Sequence, residues 1–474
     1  MKRYLVIALL FISSASVYSQ YVEDALRYGL PNGLITPRVA GLNVAYHGVA
    51  DDMGALFYNP AGMILVKSNE LSMGLNFQVN SVESMYKNNL DEFSSNNEGI
   101  TNVGLISSFD RQGGKKSAIG IAYYKESDFY NTFDYAGFNE QSTLIANQTK
   151  NWQYDDPNDN WVNRLRLAEN GYTPYEDSLF QRGQIDSRGG IHTITGGAAF
   201  EVNEYVSLGF ALTGKWGGFT YDKSYYETDI HNNYNTVGRE PYEDLHELEF
   251  IETVDQDVAG FSATLGIQAR IEDFMRFGAS VKLPTWYQVD ETYKQDVNLT
   301  FDDNSNSNFS TGTVPNSYKI TTPFIYSAGF SFHALGLTFA SGIEYSDVSQ
   351  LEFSDAMFDV ESLNKIIVRE LVGQTTWGFG LEYQLPWLPF MARASYASTT
   401  SPYQQDIANA AKSWLSLGGS VFLGEKVRLD AVMRWTDLSE QRVNYGSIND
   451  PENYSTYIIT QKPLNISLGL TYRY

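Results

Sequence analysis

The sequence of 474 residues contains no cysteine. A disulfide scaffold, a thiolate metal site and a thiol nucleophile are all excluded by that absence. Positive charge is also scarce, since 33 Lys and Arg against 56 Asp and Glu leave a formal net charge of −23. Nucleic acid is a poor partner for so acidic a chain. Histidine is confined to His47, His192, His231, His246 and His333, and no Gly-x-Ser-x-Gly elbow accompanies them. A serine hydrolase lacks its parts here, so no catalytic residue is assigned and the chain is read as a non-enzyme without a cofactor. Alternation along its strand places His192 on the polar face. Beyond the first dozen residues no apolar run approaches 18 positions, which leaves no helical membrane span.

Aromatic residues, by contrast, are abundant at 14%, with 33 tyrosines, more than a soluble secreted domain needs. Met1-Lys2-Arg3, the apolar run 4–12 and Val17-Tyr18-Ser19 before Gln20 form the pattern of a secretory signal peptide spanning 1–19. Its removal takes two further positive charges, from −23 to −25. Residues 20–69 follow as a separate N-terminal unit. Within it, 36–63 is rich in small residues, with Gly41, Gly48, Gly54, Gly62, the acid pair Asp51-Asp52 and a closing Asn59-Pro60-Ala61-Gly62. Glycine permits tight bends and close approach, and the residue before proline is held extended, so this stretch reads as a compact plug or an irregular leader.

From residue 70 onward the pattern is period two. Leu71, Met73, Leu75, Phe77 and Val79 alternate with Ser72, Gly74, Asn76, Gln78 and Asn80. Fourteen such runs are expected, at 70–80, 101–109, 117–126, 189–202, 206–221, 250–271, 276–293, 317–333, 337–347, 375–385, 389–399, 412–423, 427–437 and 461–474. Their connections alternate between short (110–116, 203–205, 272–275, 334–336, 386–388, 424–426) and long (127–188, 222–249, 294–316, 348–374, 438–460). An even strand count with turns sorted by length is the signature of a transmembrane barrel, which must close because lipid satisfies no backbone donor. In the last run Leu464, Ile466, Leu468, Leu470, Tyr472 and Tyr474 share one face, a pattern suited to lipid and its interface. The fold class is therefore all-β: a 14-stranded antiparallel transmembrane β-barrel over 70–474, with the unit 20–69 inside its lumen.

Residues Arg38, Gly41, Ala45, Ala50-Asp51-Asp52 and Asn59-Pro60-Ala61-Gly62, preceded by Glu23-Asp24-Ala25-Leu26-Arg27-Tyr28, resemble the N-terminal hatch of the FadL/TodX family of outer-membrane transporters. Leu283-Pro284, Thr322-Pro323 toward Gly329, 344–349, 393–396 with Ser401-Pro402, and 414–418 extend the similarity through the barrel. The resemblance implies a cell outer-membrane diffusion channel for long-chain fatty acids or aromatic hydrocarbons. Ligand is captured by extracellular loops, gated by the hatch and released sideways through the wall. It assigns Arg38, Gly41, Asp51, Asp52, Asn59, Pro60, Ala61 and Gly62 to the gate. The implied partners are a hydrophobic small molecule and outer-membrane lipid and lipopolysaccharide, with a monomer the expected state. The same family contains barrels that act as docking or shuttle components for secreted proteins, and that alternative stays open.

Pro284 and Pro323 are candidate wall kinks, because proline removes a ladder donor, or else mark a strand rim and a strand start. Residues 359–371 read as an amphipathic helix, with Val360, Leu363, Ile366 and Ile367 on one side. It is a possible loop lid or a helix packed on neighbouring loops. Asp155-Asp156 with Asp159, and Asp302-Asp303 before 304–308, lack the spacing of a calcium loop and read as solvated, so no metal site is assigned.

Overall fold

The computed structural model describes residues 14–111, 114–150, 160–169, 171–235, 244–405, 410–446 and 454–474. Among them a single antiparallel sheet of twenty strands wraps into a closed barrel. The first seven strands are β1 (Glu70–Tyr86), β2 (Asn89–Asp110), β3 (Lys116–Asp128), β4 (Asn131–Asn139), β5 (Leu179–Glu201), β6 (Val206–Thr228) and β7 (Leu245–Ile271). Next come β8 (Met275–Lys282), β9 (Trp286–Phe301), β10 (Asn306–Ser310), β11 (Val314–Thr321), β12 (Ile325–Ala334), β13 (Leu337–Asp347) and β14 (Glu352–Ser354). The last six are β15 (Gly373–Gln384), β16 (Phe390–Thr399), β17 (Lys412–Leu423), β18 (Val427–Tyr445), β19 (Ser455–Gln461) and β20 (Leu464–Arg473). Three pairs, β8 with β9, β11 with β12 and β19 with β20, are halves of single staves, and β4, β10 and β14 lie beyond the barrel proper. Fourteen staves remain, the number expected from the alternation. Closure is made by β1 against β20, in register from Glu70↔Arg473 to Val79↔Leu464.

Alternation decides which side chains meet which solvent. Along β20 Asn465, Ser467 and Thr471 are buried inward while Leu468, Leu470 and Tyr472 point out, each more than 40% exposed. The same outward apolar row recurs on every stave, for example Leu71, Met73 and Phe77, or Phe379 and Leu381. Water does not tolerate a continuous apolar band of this extent, whereas a bilayer requires it. One site departs from expectation: His192 lies on this outer face, not the polar one, stacked between Tyr123 and Trp216 at ring separations of 5.9 and 6.1 Å. The bulge between Lys125 and Ser127 on the paired strand β3 sits beside it, and Thr193 and Thr195 take the inward positions.

The short turns agree with the sequence to within one or two residues. The long connections do not all form loops. β1 and β2 continue as a hairpin to a two-residue turn at Lys87 and Asn88, both at positive φ (46° and 65°), the backbone that a tight hairpin demands. The strands simply outrun the membrane. Part of the connection 127–188 folds back into the barrel mouth on the long-connection side as α4 (Leu144–Lys150) and α5 (Trp161–Arg164). There Ile145, Trp161, Val162 and Tyr175 pack on inward residues Tyr86, Tyr135, Leu248 and Tyr457. The acid tract Asp155, Asp156 and Asp159 lies outside the described residues, as do 1–13 of the expected leader.

Candidate functional site

The N-terminal segment enters the lumen as α1 (Ser14–Gly29), α2 (Pro37–Leu42), a 3₁₀ turn Asn43–Gly48, α3 (Ala55–Tyr58) and a second 3₁₀ turn Pro60–Leu65. Its local structure is written in its caps. Thr36 accepts from the Val39 amide at 3.2 Å with Pro37 at the first helical position, and Asn59 accepts from the Ala61 amide at 3.3 Å with Pro60 following. Residues 36–65 are almost wholly buried and reach the wall all round, from β2 through β20.

Contact this close needs missing side chains on the wall. A Cβ on Gly342 of β13 would stand 2.1 Å from the Val44 carbonyl oxygen, and one on Gly209 of β6 would stand 2.3 Å from the Ala61 nitrogen. Within the hatch, a Cβ at Gly62 would meet the Ala50 oxygen at 2.1 Å, and one at Gly41 would meet Arg393 Cδ at 2.4 Å. These are positions where backbone or a buried ion pair lies, so no larger residue fits without displacement.

The sequence-expected polar residues converge on one cluster. Arg38 donates from Nε and a terminal nitrogen to the two carboxylate oxygens of Glu382 on β15, at 3.0 and 2.8 Å, and also pairs with Asp51. Asp51 is held by Arg276 of β8 at 2.8 Å. Asp52 accepts from Tyr46 at 2.6 Å, from the Gly54 amide at 3.0 Å and from Arg428 of β18 at 3.0 Å. Arg393 of β16 closes the ring to Glu382 at 2.7 Å, and Arg428 reaches Asp430 at 2.9 Å. Four guanidinium groups thus face four carboxylates, a neutral set in which each charge has a counterpart. Burial raises the Asp51 carboxyl, but Arg38 and Arg276 outweigh it and hold the group below the usual carboxylate range. Asn59 anchors the far end, donating to the Ile267 carbonyl and the Gln268 side chain, each at 3.1 Å.

Sequence reasoning located Arg38, Asp51, Asp52 and Asn59 but not their wall partners. Arg276, Glu382, Arg428 and Asp430 carry a signal that was available: each is a charged side chain at an inward position of an otherwise alternating strand. Pro284 and Pro323 lie on neighbouring staves, between β8 and β9 and between β11 and β12. The Thr322 amide donates to the Thr285 carbonyl at 3.0 Å, and the Thr285 amide donates to the Thr322 hydroxyl at 2.9 Å, bridging the two breaks. Behind them lies a crevice of about 10 Å³ lined by Tyr28, Gly29 and Pro31. A third break, at Pro463 between β19 and β20, has no counterpart in the sequence expectations. The helix expected over 359–371 is α6 (Val360–Glu370), capped by Asp359. Leu363 and Ile367 are fully buried in a cluster with Val22 and Leu26 of α1, and Val360 is packed against the same cluster.

Above the hatch lies a cavity of about 590 Å³. Val39, Asn43, Val44, His47 and Tyr58 form its floor, Leu144 and Gln148 of α4 border its upper end, and aromatic rings such as Phe129, Phe219, Phe250 and Tyr457 line its wall. Among the described residues no group of three His, Asp or Glu stands close enough to hold a metal ion. Asp302 instead meets His246 at 3.1 Å, and Asp303 accepts from the Ser305 amide.

No protein-family model matches the sequence, and no curated protein does. Solved structures do match. A Pseudomonas aeruginosa FadL homologue superposes with a TM-score of 0.62 at 13% identity, covering 94% of this chain and 99% of its own. The fold is that of the FadL/TodX-type barrels. The Pseudomonas putida toluene transporter TodX (TM-score 0.53, 11% identity, 94% and 100% covered) and the Ralstonia pickettii toluene transporter TbuX (0.52, 13%, 93% and 98%) share it.

Proposed function

We propose that this chain is an outer-membrane channel through which hydrophobic small molecules pass by diffusion, without energy input. The observation that carries the reading is the half-open cavity: a space of about 590 Å³, partly aromatic, bounded below by a hatch that touches the wall on every side. Its size falls in the range of small-molecule sites. The names of the structural neighbours, a FadL homologue and two toluene transporters, point to the same class of cargo. An apolar ligand gains roughly 0.8 kcal/mol for each methylene kept from water, so leaving sideways into lipid is favoured over crossing the hatch into the periplasm.

The paired breaks at Pro284 and Pro323 are the proposed exit. The segment Tyr28–Pro31 lies against their inner side, so a shift of the hatch uncovers them. The neutral ion cluster is the proposed latch, because a gate needs bonds that are adequate when closed and replaceable when it moves.

Uptake of labelled hexadecanoate and labelled toluene by cells with and without the protein tests the channel. Unchanged uptake together with trapped secreted proteins would instead support a docking role. Removal of 20–62 is expected to leave a barrel that inserts and to abolish selective uptake; normal selective transport by that variant defeats the gate.

A further inference from the structure

The connection between β4 and β5 is tied into the mouth by more than the apolar packing of α4 and α5. Its polar ties gather on one side chain. Glu227, near the end of β6 and well beyond the interface residue Trp216, is fully buried. Its Oε1 accepts from the Leu144 amide of α4 at 2.6 Å, from Gln181 Nε2 of β5 at 2.8 Å and from the Tyr225 hydroxyl at 2.8 Å. Its Oε2 has no partner. Gln181 Nε2 and the Tyr445 hydroxyl of β18 also donate to the Ser142 carbonyl, each at 3.0 Å, so the chain just before α4 is held by the same group of side chains.

The titratable groups that bear on this carboxyl are Tyr225 beside it, Tyr86 of β1, Tyr445 of β18 and Tyr234. No cation pairs with it among the described residues. A carboxylate in such surroundings, with one oxygen unserved, is costly where a neutral carboxylic acid is not. Burial pushes the Glu227 carboxyl up to about 7, although the donors from Leu144, Tyr225 and Gln181 pull the other way. A group raised in this way stabilises docking fully below its free value of about 4.3, and the contribution is lost as pH rises through about 7. Leu144 and Gln148 of α4 border the upper end of the cavity, so undocking widens the way in.

We propose that α4 and α5 form a second gate, at the mouth, and that Glu227 is its latch: closed while the carboxyl is protonated and released when it ionises. This rests on the channel reading and adds to the hatch an entry gate built from a different part of the chain.

Hydrogen exchange of 142–150 and 160–169, followed by mass spectrometry on the purified full chain from pH 5.5 to 8.5 and corrected for the intrinsic rate, tests the latch. Wild type is expected to lose at least about tenfold of its protection across that range, with β20 as the unchanged reference. Glu227→Gln, which keeps the acceptor oxygen and cannot ionise, should hold its protection throughout, and Glu227→Ala should lack it throughout. A flat wild-type profile, or the same loss in Glu227→Gln, overturns the latch. Uptake of labelled hexadecanoate by cells over the same pH range reads the gate: a rise with pH in wild type that Glu227→Gln abolishes supports it. Protection that falls while uptake stays level overturns the gate and leaves the channel reading standing. Absence of uptake at every pH removes the channel reading, and the gate with it, whatever the exchange shows.

Discussion

Arg38 and Glu382, 344 positions apart in the chain, meet through two parallel hydrogen bonds in the middle of the barrel. This fork against fork is the strongest geometry a guanidinium and a carboxylate can adopt, and it joins the plug to its container. Removing one partner of a buried pair is far worse than never having made it, because the other charge stays behind in low dielectric. Arg38→Met is expected to destabilise the docked hatch by about 3–5 kcal/mol. The check is limited proteolysis of the purified protein, where cleavage within 20–62 rises without loss of the heat-resistant barrel.

Gly342 gives a steric counterpart. Because a Cβ there would meet the Val44 oxygen at 2.1 Å, Gly342→Val forces the 3₁₀ turn away from β13. Overpacking of this kind costs about 1–3 kcal/mol. Single-channel recording in planar bilayers is expected to show a larger ion leak than wild type. An unchanged leak would mean that the turn relaxes without opening a path.

The hatch is expected to respond to acid late. The folded Asp51 carboxyl titrates below its unfolded value of about 3.9. A depressed carboxyl contributes stability that is full above the unfolded value and is lost as pH falls through the folded one. Protease access to 20–62 should therefore be flat from pH 8 to about 5 and rise only below about 4. Asp51→Asn should reduce that acid-linked loss without abolishing it, because three carboxylates of the cluster remain.

The breaks at Pro284 and Pro323 can be locked without interference, since the chain has no cysteine of its own. Thr285→Cys with Thr322→Cys, joined by a short bifunctional thiol reagent, bridges the two staves where their amides already bond. Uptake of labelled hexadecanoate should fall on cross-linking. The same treatment at a distant pair, Ser341→Cys with Phe379→Cys on β13 and β15, should have no effect. Equal uptake by the locked and unlocked forms would move the exit elsewhere, with the break at Pro463 the next to lock.

The alternation of Leu71 to Val79 and of Leu464 to Tyr474 was enough to read the barrel, because a lipid face and a polar lumen impose a two-residue period on every stave. The plug could be read for a related reason: Asn59-Pro60 and Thr36-Pro37 carry their caps within a few residues. The wall half of the ion cluster was harder, since Arg38 and Glu382 find each other only after the barrel closes. His192 was misplaced because a histidine counts as polar in an alternation, although an imidazole stacked between Tyr123 and Trp216 fits the aromatic belt of an interface. The reach of β1 and β2 beyond the membrane was hidden by polar residues on both faces, where no lipid enforces a pattern.

The seam between β1 and β20 orders events in time. Glu70 and Arg473 are opposite each other in that ladder, so the cylinder cannot be completed until the last residues of the chain are available. The plug precedes every stave in sequence, and three of the residues that grip it, Glu382, Arg393 and Arg428, belong to the final third. Until those staves are in place Arg38, Asp51 and Asp52 lack the partners that neutralise them and stay in water. The plug's charges, costly to bury singly, go out of water together with the side chains that neutralise them.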